Sequence, residues 1–226
     1  LGGAPRIVDI AVKDGRIAAM GDVSGSATEV ISAAGLIVTP GFVDVHTHYD
    51  GQATWENRLA PSSGHGVTSV VMGNCGVGFA PCKPEQRDIL VKVMEGVEDV
   101  PEVVMTEGLP WNWETFPQYL DALDARRFDV DVAAQLPHSA LRVFVMGERA
   151  AGHEPPSADD LAQMRRLTTE AIRAGALGVS TSRNMLHRTK AGELAPSLFS
   201  EEDELAALAE GLKDAGKGVF QIIPAP

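Results

Sequence analysis

From residue 42 to residue 223, short apolar runs alternate with amphipathic helical stretches, and this alternation constrains the fold more than any other feature of the chain. The runs at 42–45, 66–73, 129–136, 176–180 and 218–223 read as strands, since each is rich in Val, Ile, Leu or Ala and is bounded by Gly, Pro or polar residues. Helices are expected between them. One spans 84–95, with Pro84 near its start and Gly96 past its end. Another begins near Thr115-Phe116-Pro117 and runs to about Ala125. Ser157 with Asp160 resembles a capping box, Leu161, Met164, Leu167 and Ile172 recur at helical spacing, and Gly175 ends that helix. Ser200 with Asp203 opens a further helix, lined by Leu205, Leu208 and Leu212 and ended by Gly216.

Strand–helix alternation implies parallel strands joined by right-handed crossovers. Five such units are present, and a closed β/α barrel needs about eight. The expected fold class is therefore α/β: the N-terminal portion of a β/α (TIM-like) barrel over residues 41–226, in a chain that is a fragment of a longer one. The alternative is a complete open α/β sheet of five strands. Residues 1–40 differ in character. Asp14-Gly15 between 7–12 and 16–20 is a strong hairpin signal, and two further short strands are expected at 30–31 and 36–38. This small antiparallel unit closes at Pro40-Gly41, and the start at Leu1 suggests a cropped N-terminus that leaves a leader open.

Composition narrows the partners. The chain of 226 residues carries 31 acidic against 19 basic side chains, a formal net charge of −12. Such a surface repels nucleic acid and anionic membranes and leaves small molecules as substrates. No apolar run approaches a membrane span. Two cysteines in this length form no disulfide framework, which makes a cytoplasmic setting the default. A homo-oligomer is compatible with all of this.

In a β/α barrel the chemistry sits at the C-terminal strand ends. The first strand runs into His46-Thr47-His48. Residues two apart share a face of a strand, so both imidazoles leave it side by side, an arrangement suited to a divalent metal. Cys75 follows the second strand in the turn 73–76, where its thiolate would share a rim with the two histidines. The third strand ends at His138, a candidate for substrate contact, with a turn or helix partner as the other reading. Arg183, His187 and Arg188 follow the fourth strand, and an Arg there can hold a substrate carboxylate, with a solvated loop charge as the commoner reading. Cys82 is expected to be inert and His65 and His153 to have packing or surface roles, while staple-like packing against the barrel is expected for Trp111 and Trp113 rather than a place in a pocket wall.

At these residues the chain resembles the amidohydrolase superfamily, and within it the N-acyl-D-amino-acid deacylases. The carrying segments are Pro-Gly-Phe-Val-Asp-Val-His-Thr-His at 40–48, Gly-Val-Thr-Ser-Val-Val-Met-Gly-Asn-Cys-Gly at 66–76, and Gly-Ala-Leu-Gly-Val-Ser-Thr at 175–181. The resemblance implies a small β-sandwich domain, to which residues 1–40 contribute, beside a distorted metal-dependent barrel. It implies that His46 and His48 match metal ligands, and that Cys75 matches a thiolate ligand for one or two zinc ions. The implied reaction is hydrolysis of an N-acyl bond to a carboxylate and a free D-amino acid. The proton-transfer Asp of such enzymes would lie beyond this chain, which is expected to be inactive by itself. Two departures stand out. Strand five offers Gln221 where deacylases usually carry a His nearby, and Arg183-Asn184-Met185 replaces a Tyr after the Ser-Thr motif. A cyclic-amide hydrolase is a second reading, which would need a bridging lysine at the end of strand four, whereas Lys190 lies well past it. A non-catalytic binding protein on the same scaffold is a third.

Overall fold

The structure is a computed structural model that describes residues 3–225. The chain divides into two compact units at Pro40-Gly41. In the first, β1 (Asp9–Lys13) and β2 (Arg16–Gly21) pair antiparallel around Asp14-Gly15. Both turn residues have positive φ, 52° and 72°, the left-handed geometry that matches the twist of a two-residue hairpin. The further strands expected at 30–31 and 36–38 are absent. Val30, Ile31, Leu36 and Ile37 are exposed instead, and a short extended segment without a pairing strand leaves its backbone groups to water.

The second unit is a run of β/α repeats. Its strands are β3 (Phe42–Asp44), β4 (Val67–Met72), β5 (Asp131–Ala134), β6 (Leu136–Pro137), β7 (Gly178–Ser182) and β8 (Val219–Ile223). All pairings among them are parallel, β3 with β4, β4 with β5, β6 with β7 and β7 with β8. β5 and β6 are consecutive halves of one strand, broken at Gln135. The first half pairs with β4 and the second with β7, and the Leu177 amide donates to the Ala134 carbonyl at 2.9 Å across the break. The result is five parallel strands whose spatial order follows the chain. Doubly wound sheets reverse their strand order at a switch point, whereas a β/α barrel adds each strand beside the last. Phe42, Val43 and Val45 at one edge, and Val219 and Ile222 at the other, are exposed.

The helices are α1 (Arg87–Glu98), α2 (Glu102–Gly108), α3 (Phe116–Asp124), α4 (His138–Met146), α5 (Glu148–Ala151), α6 (Ala158–Ala174) and α7 (Glu202–Ala215). Thr115 with Gln118 and Ser157 with Asp160 form complete capping boxes at α3 and α6. Three boundaries depart from the sequence reading. α1 runs through Gly96 and stops at the left-handed Asp99. Gly96 is kept because a Cβ there would overlap the Arg188 carbonyl oxygen. At α7 the N-cap is Glu201, since the Ser200 hydroxyl donates to the Ser197 carbonyl at 2.7 Å instead of capping. And α4, missed in the sequence, begins at His138 directly after β6.

The core lies between sheet and helices. Val70, Met72, Leu136 and Val179 from the strands meet Leu90, Met94, Leu141, Met164, Ile172 and Leu208 from the helices, all nearly inaccessible to solvent. Burying side chains of this size contributes on the order of 1.5–3 kcal/mol each. No helix among the described residues is long and apolar enough to cross a membrane.

Candidate metal centre

Past the end of β3 the backbone keeps the pairing rhythm for one more step. The Thr47 amide donates to the Val71 carbonyl at 2.9 Å, and the Thr47 hydroxyl donates to the same oxygen at 2.8 Å. Thr47 is thus buried against β4, and alternation turns His46 and His48 the other way. Their ring centroids lie 5.4 Å apart.

Cys75 is delivered by the turn after β4. Gly73 and Gly76 both have positive φ, and a Cβ on Gly73 would overlap the Gln135 carbonyl, so glycine is required for the close approach. Cys75 itself sits at φ 58°, a conformation that costs a residue with a Cβ of order 1–2 kcal/mol and persists only where the surroundings impose it. Two neighbours impose it. The Ser180 hydroxyl accepts from the Gly76 amide at 3.0 Å and donates to the Gly73 carbonyl. The Asn74 side chain donates to the Thr47 and Val71 carbonyls at 3.0 and 2.9 Å. One amide therefore holds the histidine-bearing segment and the cysteine-bearing turn together.

The three donors converge. One ligand atom each from His46, His48 and Cys75 lies within 4.8 Å of the others, and His46 Nε2 is 3.2 Å from Cys75 Sγ. An ion bound tetrahedrally at ordinary Zn–N and Zn–S lengths separates such atoms by about 3.5 Å, so the donor set fits a single divalent ion with little movement. The electrostatics agree. Burial holds the His48 imidazole down to about 4, with the nearby His46 and His187 adding to the effect, so its lone pair is free at neutral pH. Burial pushes the Cys75 thiol up to about 12, with the carboxylates of Glu98 and Asp50 adding to it. A thiolate at this position therefore needs a cation beside it.

Other residues expected at the site fall into place differently. His187 is half-buried, its Nδ1 has no partner, and its pKa is lowered by burial and then by His46, which puts it at the edge of the cluster. His138 does not join. It is fully buried at the start of α4, with Nδ1 2.9 Å from the Thr181 hydroxyl and Nε2 2.8 Å from Glu204. Both ring nitrogens are spoken for within the protein, so substrate contact gives way to a buried structural network that Arg142 completes through Glu204. Arg183 is likewise committed, donating to the Leu198 and Ser200 carbonyls and tying down the segment after β7. Arg188 is exposed and donates to the Met185 carbonyl at 3.0 Å. Lys190 pairs with Glu95 at 3.1 Å on the surface.

Three polar groups near the cluster were not singled out in the sequence or were read differently there. Asp50, two residues past His48, is fully buried with one carboxylate oxygen unpartnered, and burial pushes it up to about 7. Glu98 Oε1 lies 3.2 Å from His48 Nε2, and burial lifts this carboxyl to about 7 as well. Gln221 donates through Nε2 to Asn74 Oδ1 at 2.8 Å, beside a second donation from Gln135 at 2.9 Å. Asn74 uses its amide hydrogens on Thr47 and Val71, so its oxygen must accept, and Gln221 must present nitrogen to it. The Gln221 carbonyl oxygen is left buried and without a partner. Position i+2 after His48 was the available signal for Asp50.

Comparison with known proteins places this geometry in context. The amidohydrolase family profile matches residues 29–225. The D-aminoacylase of Alcaligenes xylosoxydans xylosoxydans is 38% identical over 179 residues, covering 78% of this chain and 34% of that enzyme. A solved D-aminoacylase superimposes with a TM-score of 0.74 at 32% identity, over 96% of this chain and 41% of its own. The N-acyl-D-glutamate deacylase of Bordetella bronchiseptica, solved with zinc and a phosphonate mimic of its tetrahedral intermediate, superimposes with a TM-score of 0.71 at 30% identity, over 98% and 42% of the two chains. The chain thus spans about a third to two fifths of the length of these relatives.

Proposed function

The chain belongs to the amidohydrolase superfamily, in its D-aminoacylase branch, and we propose that it carries the metal-holding part of a zinc-dependent hydrolase of non-peptide C–N bonds whose substrates are N-acyl-D-amino acids or related N-acyl compounds. The convergence of His46, His48 and Cys75 carries this reading. The sequential order of five parallel strands supports a barrel, with all three ligands on segments that follow its first two strands.

His46, His48 and Cys75 would hold the ion. A divalent ion there would supply a water acidified toward a pKa of about 7 and a Lewis acid for the amide oxygen. The chain's own residues contribute preorganisation. Asn74 and Ser180 fix the Cys75 turn, Thr47 fixes the two imidazoles, and burial keeps His48 neutral. The free thiols of Cys75 and Cys82 suit a cytoplasmic enzyme. Residues 1–226 alone are proposed to turn over little substrate, because β3 and β8 leave open edges.

Metal analysis of the protein, together with hydrolysis assays on N-acetyl-D-amino acids and their L-enantiomers, tests the proposal. Stoichiometric zinc and preferential D-amide cleavage by the full-length protein are expected. Absence of bound divalent metal after purification without chelator and zinc reconstitution would overturn it.

A further inference from the structure

Gln221 lies on β8, the last strand of the series, yet its side chain reaches the residue that follows β4. Its Nε2 donates to Asn74 Oδ1 at 2.8 Å. Between the two segments stand the β4–β5, β6–β7 and β7–β8 pairings, with β5 and β6 forming one strand. At about 4.8 Å per pairing, a flat sheet would hold the two backbones about 14 Å apart. Side chains stand perpendicular to a sheet and could not meet across that span. The bond forms because the sheet curls, which brings inward-facing side chains of distant strands together.

The contact has a direction. Asn74 is fully buried and spends its amide hydrogens on the Thr47 and Val71 carbonyls at 3.0 and 2.9 Å. Its oxygen offers two lone pairs. Gln135 donates to one at 2.9 Å, and Gln221 takes the other. With all four positions filled, the Asn74 amide cannot turn over without setting N–H against N–H and oxygen against carbonyl. The Gln221 oxygen has no partner among the described residues, so Asn74 alone sets the orientation of that side chain. Thr47 separates His46 from His48, and Cys75 directly follows Asn74. The locked amide therefore fixes the spacing between the two segments that carry the metal-capable groups.

We propose that Gln221 is a positioning residue of the metal centre, which with Gln135 holds Asn74 in the orientation that ties the histidine segment to the Cys75 turn. The inference rests on the metal-centre reading above. In this role Gln221 touches neither ion nor substrate, and its effect passes through Asn74.

The test uses the full-length protein and compares wild type with Gln221→Met and Gln221→Glu, each alone and combined with Asn74→Ala. Zn2+ affinity is measured by chelator competition, and the Co2+-substituted spectrum is recorded. Gln221→Met keeps the length of the side chain and removes the donor, so Zn2+ binding should weaken about 5-fold, the equivalent of one net hydrogen bond. Gln221→Glu should weaken it further, because a carboxylate oxygen then faces Asn74 Oδ1. In the Asn74→Ala background neither substitution should weaken it more, since groups acting through a shared partner are not additive. The Co2+ bands should keep the coordination number of wild type. Unchanged Zn2+ affinity in both single variants overturns the proposal and leaves the metal centre intact, even if thermal stability falls. Equal losses with and without Asn74 overturn the route through that residue. A Co2+ spectrum that loses a ligand in Gln221→Met overturns it in favour of direct coordination by Gln221. Should Asn74→Ala fail to fold, the ranking of the single variants decides, and a loss in Gln221→Glu no larger than in Gln221→Met overturns the proposal. A wild-type protein that binds neither ion overturns the metal-centre reading itself.

Discussion

His46 Nε2 and Cys75 Sγ lie 3.2 Å apart although 29 residues separate them in the chain. Nothing local brings them together. The first follows β3, the second follows β4, and the parallel pairing of those strands aligns the two segments. Cys75→Ala and His46→Ala should each reduce bound zinc to substoichiometric levels, beyond the about 10–100-fold weakening typical of an outer-shell change. Elemental analysis after dialysis against a weak chelator checks this. Retention of one ion per chain in both variants would remove these residues from the ligand set.

Asn74 is fully buried and joins four segments through the Thr47 and Val71 carbonyls and the Gln135 and Gln221 amides. Asn74→Ala removes the side-chain bond to the Thr47 carbonyl and strands two amide donors, while the Val71 carbonyl keeps both bonds from Thr47. With each net hydrogen bond worth about 1 kcal/mol and stranded groups costing more, the loss should be about 2–4 kcal/mol in urea unfolding. Metal affinity should fall as well, since the same side chain aligns the two ligand segments.

The buried Glu204 provides a pH dependence away from the metal. Burial works to raise its pKa, but hydrogen bonds and charge from His138 and Arg142 outweigh it and hold the group at about 2, below its ordinary 4.5. A depressed folded-state pKa stabilises the protein fully above the unfolded value and loses that contribution as pH falls toward the folded one. Urea midpoints should therefore decline between pH 4.5 and 2. Glu204→Gln should flatten this part of the profile while lowering the midpoint at neutral pH. An unchanged slope in the variant would show that other carboxylates carry the acid sensitivity.

Gly96 inverts a familiar rule. Replacing glycine by alanine inside a helix usually stabilises by about 1 kcal/mol. Here the added methyl would meet the backbone at Arg188 and Thr189, so Gly96→Ala should destabilise by about 1–3 kcal/mol, as overpacking does. It should also shift the segment that carries His187. Thermal melts and the pH titration of His187 by NMR read the two effects. A raised melting temperature would contradict the close approach.

Much of the site was legible before any fold was known, because ligand chemistry and strand alternation are both local. His46 and His48 declare themselves by a spacing of two, and Cys75 by its turn between Gly73 and Gly76. His138 reads the same way, at the end of an apolar run, yet it is no part of the centre. Its partners Thr181 and Glu204 lie 43 and 66 residues away, and no periodicity reports on them. Arg183 is absorbed by carbonyls 15 and 17 residues downstream for the same reason. Glu98 left no trace in the sequence, because the sequence places the end of that helix before Gly96, and only the structure carries α1 on to Glu98 beside His48.

The sequence by itself determined the alternation of strands and helices, the hairpin at Asp14-Gly15, the helix start near Thr115, the capping box at Ser157, and the identity of three metal-capable side chains. Each follows from residues within a few positions of one another, where backbone preference and side-chain reach decide the outcome. Tertiary structure alone decided which polar groups face each other. It broke the strand expected at 129–136 at Gln135, so that its halves pair with different neighbours, turned Cys75 into a strained conformation held by Asn74 and Ser180, and set Glu98 against His48. Those relationships depend on distances across the sheet, and only the packed chain fixes them.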